Sequence, residues 1–139
     1  GTENVPGIIG LAESLDHVQT RRSDEVNRLK QLQKLFISEI KAKIPSAVIN
    51  GSLTSRLPNN VHVTISGTDN ERLIMALDEA GIRAAAGSAC SASNEEPSHV
   101  CRAIGLSEKD AQSSLRFTMG KNTSKSDVLT TVKTLATLI

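Results

Sequence analysis

The stretch NVHVTIS, residues 60–66, decides the fold class, because apolar and polar residues alternate along it without interruption. Such alternation predicts a β-strand with one buried and one exposed face. The pattern returns in SSLRFTM, residues 113–119, where Arg116 falls on the polar side between Leu115 and Phe117. Two shorter strands are predicted at AVIN, 47–50, and at IRAAA, 82–86.

The N-terminal third predicts helix. Asn4 is a suitable N-cap, and apolar residues spaced three and four apart continue from Ser23 until Pro45 ends the pattern. This region forms one long helix or two helices with a break near Thr20. Capping residues predict four further helices. The first begins at Thr68 or Asp69 and stops at Gly81, and the second runs from Pro97 to Gly105. The third starts at Ser107 with Asp110, and the last starts at Thr123 or Ser124.

The order of these elements predicts an α+β fold, because strands and helices do not alternate strictly. We expect a small, mostly antiparallel sheet with helices packed on one face and a long N-terminal helix. A length of 139 residues suits one domain, residues 1–139. The start at GTENVPG, without an initiator Met, suggests a piece of a longer chain.

Composition excludes several classes of function. The net charge of +1 gives no electrostatic reason to expect nucleic acid or a membrane surface as partner. The sequence has no apolar run of about 18 residues and no signal peptide, so neither a membrane span nor export is expected. With two cysteines and no export signal, a reducing compartment is favoured, and we expect the cytoplasm.

The segment AAAGSACSASNEEPS, residues 84–98, raises a chemical question. The nine consecutive residues 84–92 are all small, and Cys90 is one of them. An isolated cysteine is often buried and inert, but Gly and Ser neighbours without an apolar pattern indicate a loop. A thiolate on a loop is a nucleophile that can reach a substrate. Cys90 is therefore the first candidate for a catalytic residue.

The other candidates for chemistry are weaker. Cys101 lies in a helical apolar pattern, which favours core packing. A disulfide with Cys90 fits the spacing but not a reducing compartment, and a metal site from Cys90, His99 and Cys101 lacks a fourth ligand, so no metal is predicted. His62, His99 and His17 are expected at the surface or in a second layer.

Arg116 has two interpretations. A lone arginine on the polar side of a strand is usually solvated. Its guanidinium fork, however, matches a carboxylate with two parallel hydrogen bonds, so Arg116 is also a candidate clamp for a carboxylate substrate.

Taken together, GSACSAS, EEPSHVCRAIGL and AQSSLRFTMGK resemble the C-terminal part of cysteine desulfurases of the NifS/IscS type, and GTENVPGIIGLAESL resembles the segment that begins their small domain. The resemblance covers essentially the whole chain. It implies the small domain of a pyridoxal-phosphate enzyme of fold type I that converts L-cysteine into L-alanine and a protein-bound persulfide. It also implies a homodimer and a sulfur acceptor such as an iron–sulfur scaffold protein.

The resemblance implies a role for three residues. Cys90 matches the persulfide carrier, whose thiolate attacks the sulfur of a substrate that the cofactor holds as an imine. Arg116 matches the arginine that binds the substrate carboxylate. Thr2 matches the threonine that reaches the cofactor phosphate of the neighbouring subunit.

The chain departs from the family pattern chiefly in lacking the residues that hold the cofactor, with lesser departures at Cys101 and His99. The lysine that anchors the cofactor, the histidine beside it and the acidic partner of the pyridine nitrogen belong to the large domain, and Lys121 lies in a predicted turn. We therefore expect the chain alone to be inactive and to require its large domain. The alternative is a non-catalytic persulfide carrier or interaction module.

Overall fold

A computed structural model describes residues 1–87 and 98–139. Its elements are α1 (Val5–Lys43), β1 (Ala47–Ile49), β2 (Asn60–Ile65), α2 (Asn70–Glu79), α3 (His99–Ala103), α4 (Glu108–Gln112), β3 (Ser114–Thr118) and α5 (Lys125–Leu138). Apart from a strand predicted at 82–86, they follow the predicted order. The strands form one antiparallel sheet in the order β1-β2-β3, which confirms the predicted α+β class.

The alternation in the sequence sets the two faces of the sheet. Strand β2 pairs Val61 with Phe117 and Val63 with Leu115 of β3, and these four side chains are buried. They join a single hydrophobic core with residues from α1, α2 and α5. Phe36 of α1 contacts Phe117, with ring centroids 5.1 Å apart. The three long helices therefore cover one face, as predicted.

Helix α1 is one continuous helix of 39 residues, without a break near Thr20. The side chain of Asn4 accepts a hydrogen bond from the Gly7 N–H, which confirms the predicted N-cap. The buried residues of α1 lie between Leu29 and Ile40. Residues 1–24 are all exposed, so the N-terminal half of α1 extends away from the core.

One predicted element was wrong. The segment 82–86 is not a strand. It contributes only an isolated bridge between Ala85 and Arg116, because Gly87 has a φ of +57° and turns the chain away after one pair of hydrogen bonds. Helix α3 begins at His99 and ends at Ala103, and Gly105 follows its C-cap with a φ of +85°, which confirms the predicted stop. The predicted start at Pro97 lies outside the described residues.

The other termini follow the predicted capping residues. Asp69 caps α2 and accepts from the Arg72 N–H, and Gly81 follows its end with a φ of +77°. Ser124 and Asp127 form a reciprocal capping box at the start of α5. Within the described residues, no helix combines the length and the apolar character that crossing a membrane requires.

The core predicts a contrast between two isoleucines of α1. Ile40 is fully buried, whereas Ile9 is 57% exposed on the same helix. We expect Ile40→Ala to lower the free energy of unfolding by about 2–5 kcal/mol, because it removes buried methyl groups and leaves a cavity. The matched change Ile9→Ala should alter it by no more than about 0.5 kcal/mol. Urea denaturation measures both; equal effects would contradict the assignment of the core.

Candidate active site

The outer face of the sheet carries a polar row that crosses all three strands. The Asn50 N–H at the end of β1 donates to the His62 carbonyl, 2.9 Å away. His62 lies opposite Arg116 in the register of β2 and β3. Arg116 exchanges two backbone hydrogen bonds with Ala85, of 2.7 and 3.1 Å. Because paired residues share a face, the side chains of His62 and Arg116 lie on the face opposite the core.

This row forms the floor of a cavity of about 400 Å³. Its walls come from the turn that follows β1, including Arg56, and from α3, including Cys101. Gly87 and Ser98 complete the lining. The short helix α3 therefore lies on the outer face of the sheet. The prediction that helices pack on one face holds for α1, α2 and α5 and does not extend to α3.

Gly87 and Ser98 approach each other closely. A Cβ placed on Gly87 would lie 3.0 Å from the Ser98 Cβ, and the φ of +57° is itself unfavourable for other residues. The chain thus leaves the described region at Gly87 and re-enters it at Ser98 beside the same cavity. Cys90 lies between them, outside the described residues.

His62 is held as a neutral ring in this cavity. The Asn50 Nδ2 lies 3.2 Å from His62 Nδ1 and 2.8 Å from the Thr64 hydroxyl. An amide NH₂ can only donate, so Nδ1 accepts and the ring proton sits on Nε2. Burial lowers the pKa of His62, and the positive charges of Arg116 and Arg56 lower it further.

The two guanidinium groups differ in their contacts. Arg116 has no side-chain hydrogen bond or ion pair with any other described residue, although its backbone is fixed on both sides. Arg56 donates from Nη2 to the Asn50 carbonyl, which fixes its side chain against the end of β1. No signal in the sequence pointed to Arg56, because it lies in a loop without periodicity.

Of the other predicted residues, only Cys101 belongs to the described lining of this cavity; Thr2, His17 and His99 do not. Thr2 is exposed before α1, and the helix from Val5 to Leu29 alone spans about 36 Å at 1.5 Å per residue. Cys101 is a free thiol that is 2% exposed, which confirms that it is buried. His99 and His17 are exposed, as expected.

The described lining of the cavity suits an anion better than a cofactor or a metal. It contains the charged residues Arg56 and Arg116 but no carboxylate and no lysine. Lysine is the side chain that forms an imine with pyridoxal phosphate, so the described lining lacks the covalent anchor for that cofactor. Among residues 1–87 and 98–139, no three His, Cys, Asp or Glu side chains cluster as metal ligands would.

A second and larger cavity lies on the helix side of the molecule. It has a volume of about 600 Å³ and is lined by residues that include Phe36, Lys121 and Asp127. It contains none of the predicted site residues, so we do not assign the chemistry to it.

Comparison with known proteins places this geometry in a family. The profile of the family Aminotransferase class-V matches residues 1–130. The chain belongs to this family. It is 38% identical over 139 residues to the cysteine desulfurase IscS of Dictyoglomus turgidum, and 42% identical over 129 residues to that of Methanosarcina thermophila. These matches cover 100% and 92% of the chain, respectively. The resemblance inferred from the sequence is thereby confirmed.

Solved structures agree with this membership of the class-V aminotransferases. A NifS-like protein from Rickettsia africae superposes with a TM-score of 0.84 at 26% identity and covers 99% of the chain. A second NifS-like protein, at a TM-score of 0.82 and 24% identity, shares the fold. The chain spans about a third of the length of these proteins, 35% for Dictyoglomus turgidum and 31% for Methanosarcina thermophila.

The environment of His62 predicts an effect of Arg116 on its titration. We expect Arg116→Met to raise the pKa of His62 toward its ordinary value of 6.5, because a positive charge is removed while burial is retained. Histidine resonances followed by NMR against pH measure the shift. Arg72→Met, on the exposed side of α2, is the control and should leave His62 unchanged.

The same pKa has a consequence for stability. Folding lowers the pKa of His62 below its ordinary value of 6.5. As the pH falls below 6.5, the His62 ring therefore takes up a proton more readily in the unfolded chain than in the folded one. The free energy of unfolding decreases over this pH range as a result. His62→Asn, whose Oδ1 can take the place of Nδ1, should reduce this loss in urea denaturation between pH 7 and 5. An unchanged pH profile would contradict a half-buried, neutral His62.

Proposed function

We propose that the chain is the small, C-terminal domain of a cysteine desulfurase. In the complete enzyme it would help to remove sulfur from L-cysteine, giving L-alanine and a persulfide on Cys90 for iron–sulfur cluster or thio-cofactor synthesis. The observation that carries the proposal is that Arg116 and both ends of the segment containing Cys90 meet at one cavity. Similarity to cysteine desulfurases over the whole chain supports it.

Arg116 is proposed to bind the carboxylate of the substrate. Its backbone is fixed by two hydrogen bonds to Ala85 and by its register opposite His62 of β2, so little backbone freedom is lost when a ligand binds. Its side chain has no competing partner among the described residues. A guanidinium can grip a carboxylate through two parallel hydrogen bonds and so orient the amino acid.

Cys90 is proposed to be the nucleophile. Three peptide links separate it from Gly87, so its Cα lies within about 11 Å of the Gly87 Cα in any conformation. Its thiolate would attack the sulfur atom of cysteine. A sulfur–sulfur bond forms, the carbon–sulfur bond breaks, and its electron pair stays with the carbon skeleton that becomes alanine.

The cofactor is proposed to be pyridoxal 5′-phosphate, which supplies an electron sink when it is bound. The described cavity does not supply its anchor, so the large domain is proposed to hold it. Thr2 is proposed to reach the cofactor phosphate of the partner subunit in a homodimer. Its distant, exposed position fits a role outside the cavity of its own chain.

The partners follow from the same proposal. They are the large domain, the homodimer mate and a sulfur acceptor such as an iron–sulfur scaffold protein, in the cytoplasm. Support comes from the N-terminal half of α1, whose large apolar side chains are all more than half exposed, namely Val5, Ile8, Ile9, Leu11, Leu15 and Val18.

The alternative function is that of a persulfide carrier without catalysis. Such a carrier would not need the carboxylate site at Arg116.

Replacing Cys90 tests the proposed nucleophile. In the complete enzyme, Cys90→Ser should abolish persulfide formation from L-cysteine and leave the absorbance of the bound cofactor intact, because only the sulfur nucleophile is lost. Mass spectrometry of the peptide that contains residue 90 detects the added sulfur atom. The buried Cys101 provides a matched control, and Cys101→Ala should retain the persulfide. A persulfide that persists in Cys90→Ser would contradict the assignment.

The 139-residue chain, incubated alone with pyridoxal phosphate and cysteine, is the negative control of that experiment. We expect it to release no sulfide, because its described cavity offers no lysine for the cofactor. Robust turnover would refute the need for a large domain.

Replacing Arg116 tests the carboxylate site. Arg116→Ala should chiefly raise the KM for L-cysteine, by about 10- to 100-fold, since hydrogen bonds to a charged group contribute roughly 1.5–3 kcal/mol. Steady-state kinetics of the complete enzyme measure it, with the exposed Arg72→Ala as control. An unchanged KM would remove Arg116 from this role.

A further inference from the structure

Arg56 is the most unusual side chain of the cavity. One of its three nitrogens, Nη2, donates to the Asn50 carbonyl. The other two, Nε and Nη1, are inaccessible to water and have no hydrogen-bond partner. Burial correspondingly lowers the pKa of Arg56. A buried donor without an acceptor costs about 1–3 kcal/mol, and more when it carries charge.

These unsatisfied groups are concentrated at one place. Among the described residues, the buried side-chain nitrogen and oxygen atoms without a partner are Arg56 Nε, Arg56 Nη1 and Ser98 Oγ. Both residues line the cavity that contains Arg116. Buried polar side chains elsewhere are satisfied: Gln33 donates to two carbonyls, and so does Asn70. Because folded proteins rarely leave such groups unpaired, their clustering indicates an absent ligand.

The charges around the cavity define the chemistry of that ligand. Two guanidinium groups line it, and no described lining residue is acidic. His62 carries its proton on Nε2, so its accepting nitrogen is already used by Asn50. Elsewhere the half-buried Arg28 is paired with Glu25 at 2.8 Å. The cavity therefore offers positive charge and unpaired donors, which an anionic acceptor would satisfy.

We propose that Arg56 and Arg116 together form a two-guanidinium site for one carboxylate, with the Ser98 hydroxyl as an additional donor. A carboxylate has two oxygens and about four acceptor positions, so it can satisfy both arginines at once. The volume of about 400 Å³ lies in the range of small-molecule sites. Only the identity of the ligand, the α-carboxylate of the amino-acid substrate, rests on the proposed function.

Titration of the 139-residue chain with acetate tests the site without the cofactor. Acetamide, which has nearly the same shape and no charge, is the control ligand. Acetate should shift the His62 ring resonances and raise the pKa of His62, because an anion between the guanidinium groups offsets their charge. Acetamide should do neither. The titratable or charged described residues that line the cavity with His62 are Arg56, Arg116 and Cys101.

Variants identify the contribution of Arg56. Arg56→Met should weaken acetate binding at least about tenfold, and Arg56→Lys, which keeps the charge but loses the fork, should weaken it less. Arg72→Met is the matched control and should bind acetate like the unaltered chain. Amide spectra check that each variant is folded. Equal acetate affinity in folded Arg56→Met and the unaltered chain, or equal response to acetamide, would overturn the proposal.

Kinetics of the complete enzyme separate this proposal from the proposed function. Arg56→Met should raise the KM for L-cysteine and change kcat less, because the residue binds a group that does not react. If the complete enzyme lacks desulfurase activity, the proposed function fails, while acetate binding through Arg56 stands. If desulfurase activity is present and Arg56→Met leaves both KM and acetate affinity unchanged, the two-guanidinium site fails alone.

Discussion

The pairing of β2 with β3 is the constraint on which the site depends. Side chains alternate along a strand, so burying Val63 and Leu115 in the core forces His62 and Arg116 to the opposite face. A slip of one residue in this register would place a guanidinium among aliphatic side chains. The free energy that fixes the core therefore also fixes the direction of Arg116, without any dedicated contact to its guanidinium.

The cavity then gathers two arginines without a carboxylate among its described lining residues. Asn50 links the elements that form it: its amide holds His62 neutral, and its carbonyl accepts from Arg56. Because His62 is neutral, the cavity contains the positive charges of its two arginines and no third one from the imidazole ring. Two cations close together in a partly buried cavity repel each other, and an anion relieves this repulsion. The site is thus prepared for a carboxylate before one arrives.

Much of this arrangement could be predicted from sequence, because periodicity is a local property. The alternation around His62 and Arg116 gave both strands and the outward direction of Arg116. The capping residues Asn4 and Asp69 gave helix starts. The segment 82–86 was misassigned because its single bridge depends on the turn at Gly87, a matter of tertiary contact rather than of strand propensity.

Arg56 could not be found in the same way. It lies in an irregular loop, and its importance comes from the carbonyl it contacts and from the two N–H groups left without acceptors. These contacts depend on the fold, which brings Asn50, Ser98 and Arg116 from distant parts of the sequence to one cavity. Sequence patterns alone therefore do not reveal them. The roles of Cys90 and Thr2 came from family resemblance and stay predictions, since Cys90 lies outside the described residues and Thr2 lies far from the cavity.

The most direct test of the account is a crystal structure of the complete enzyme with L-alanine, the proposed product, bound. The account predicts that the alanine carboxylate lies within hydrogen-bonding distance of the guanidinium groups of both Arg116 and Arg56, with Cys90 on the side of the sheet that bears them. A carboxylate bound away from both arginines, or Cys90 on the core side of the sheet, would contradict it.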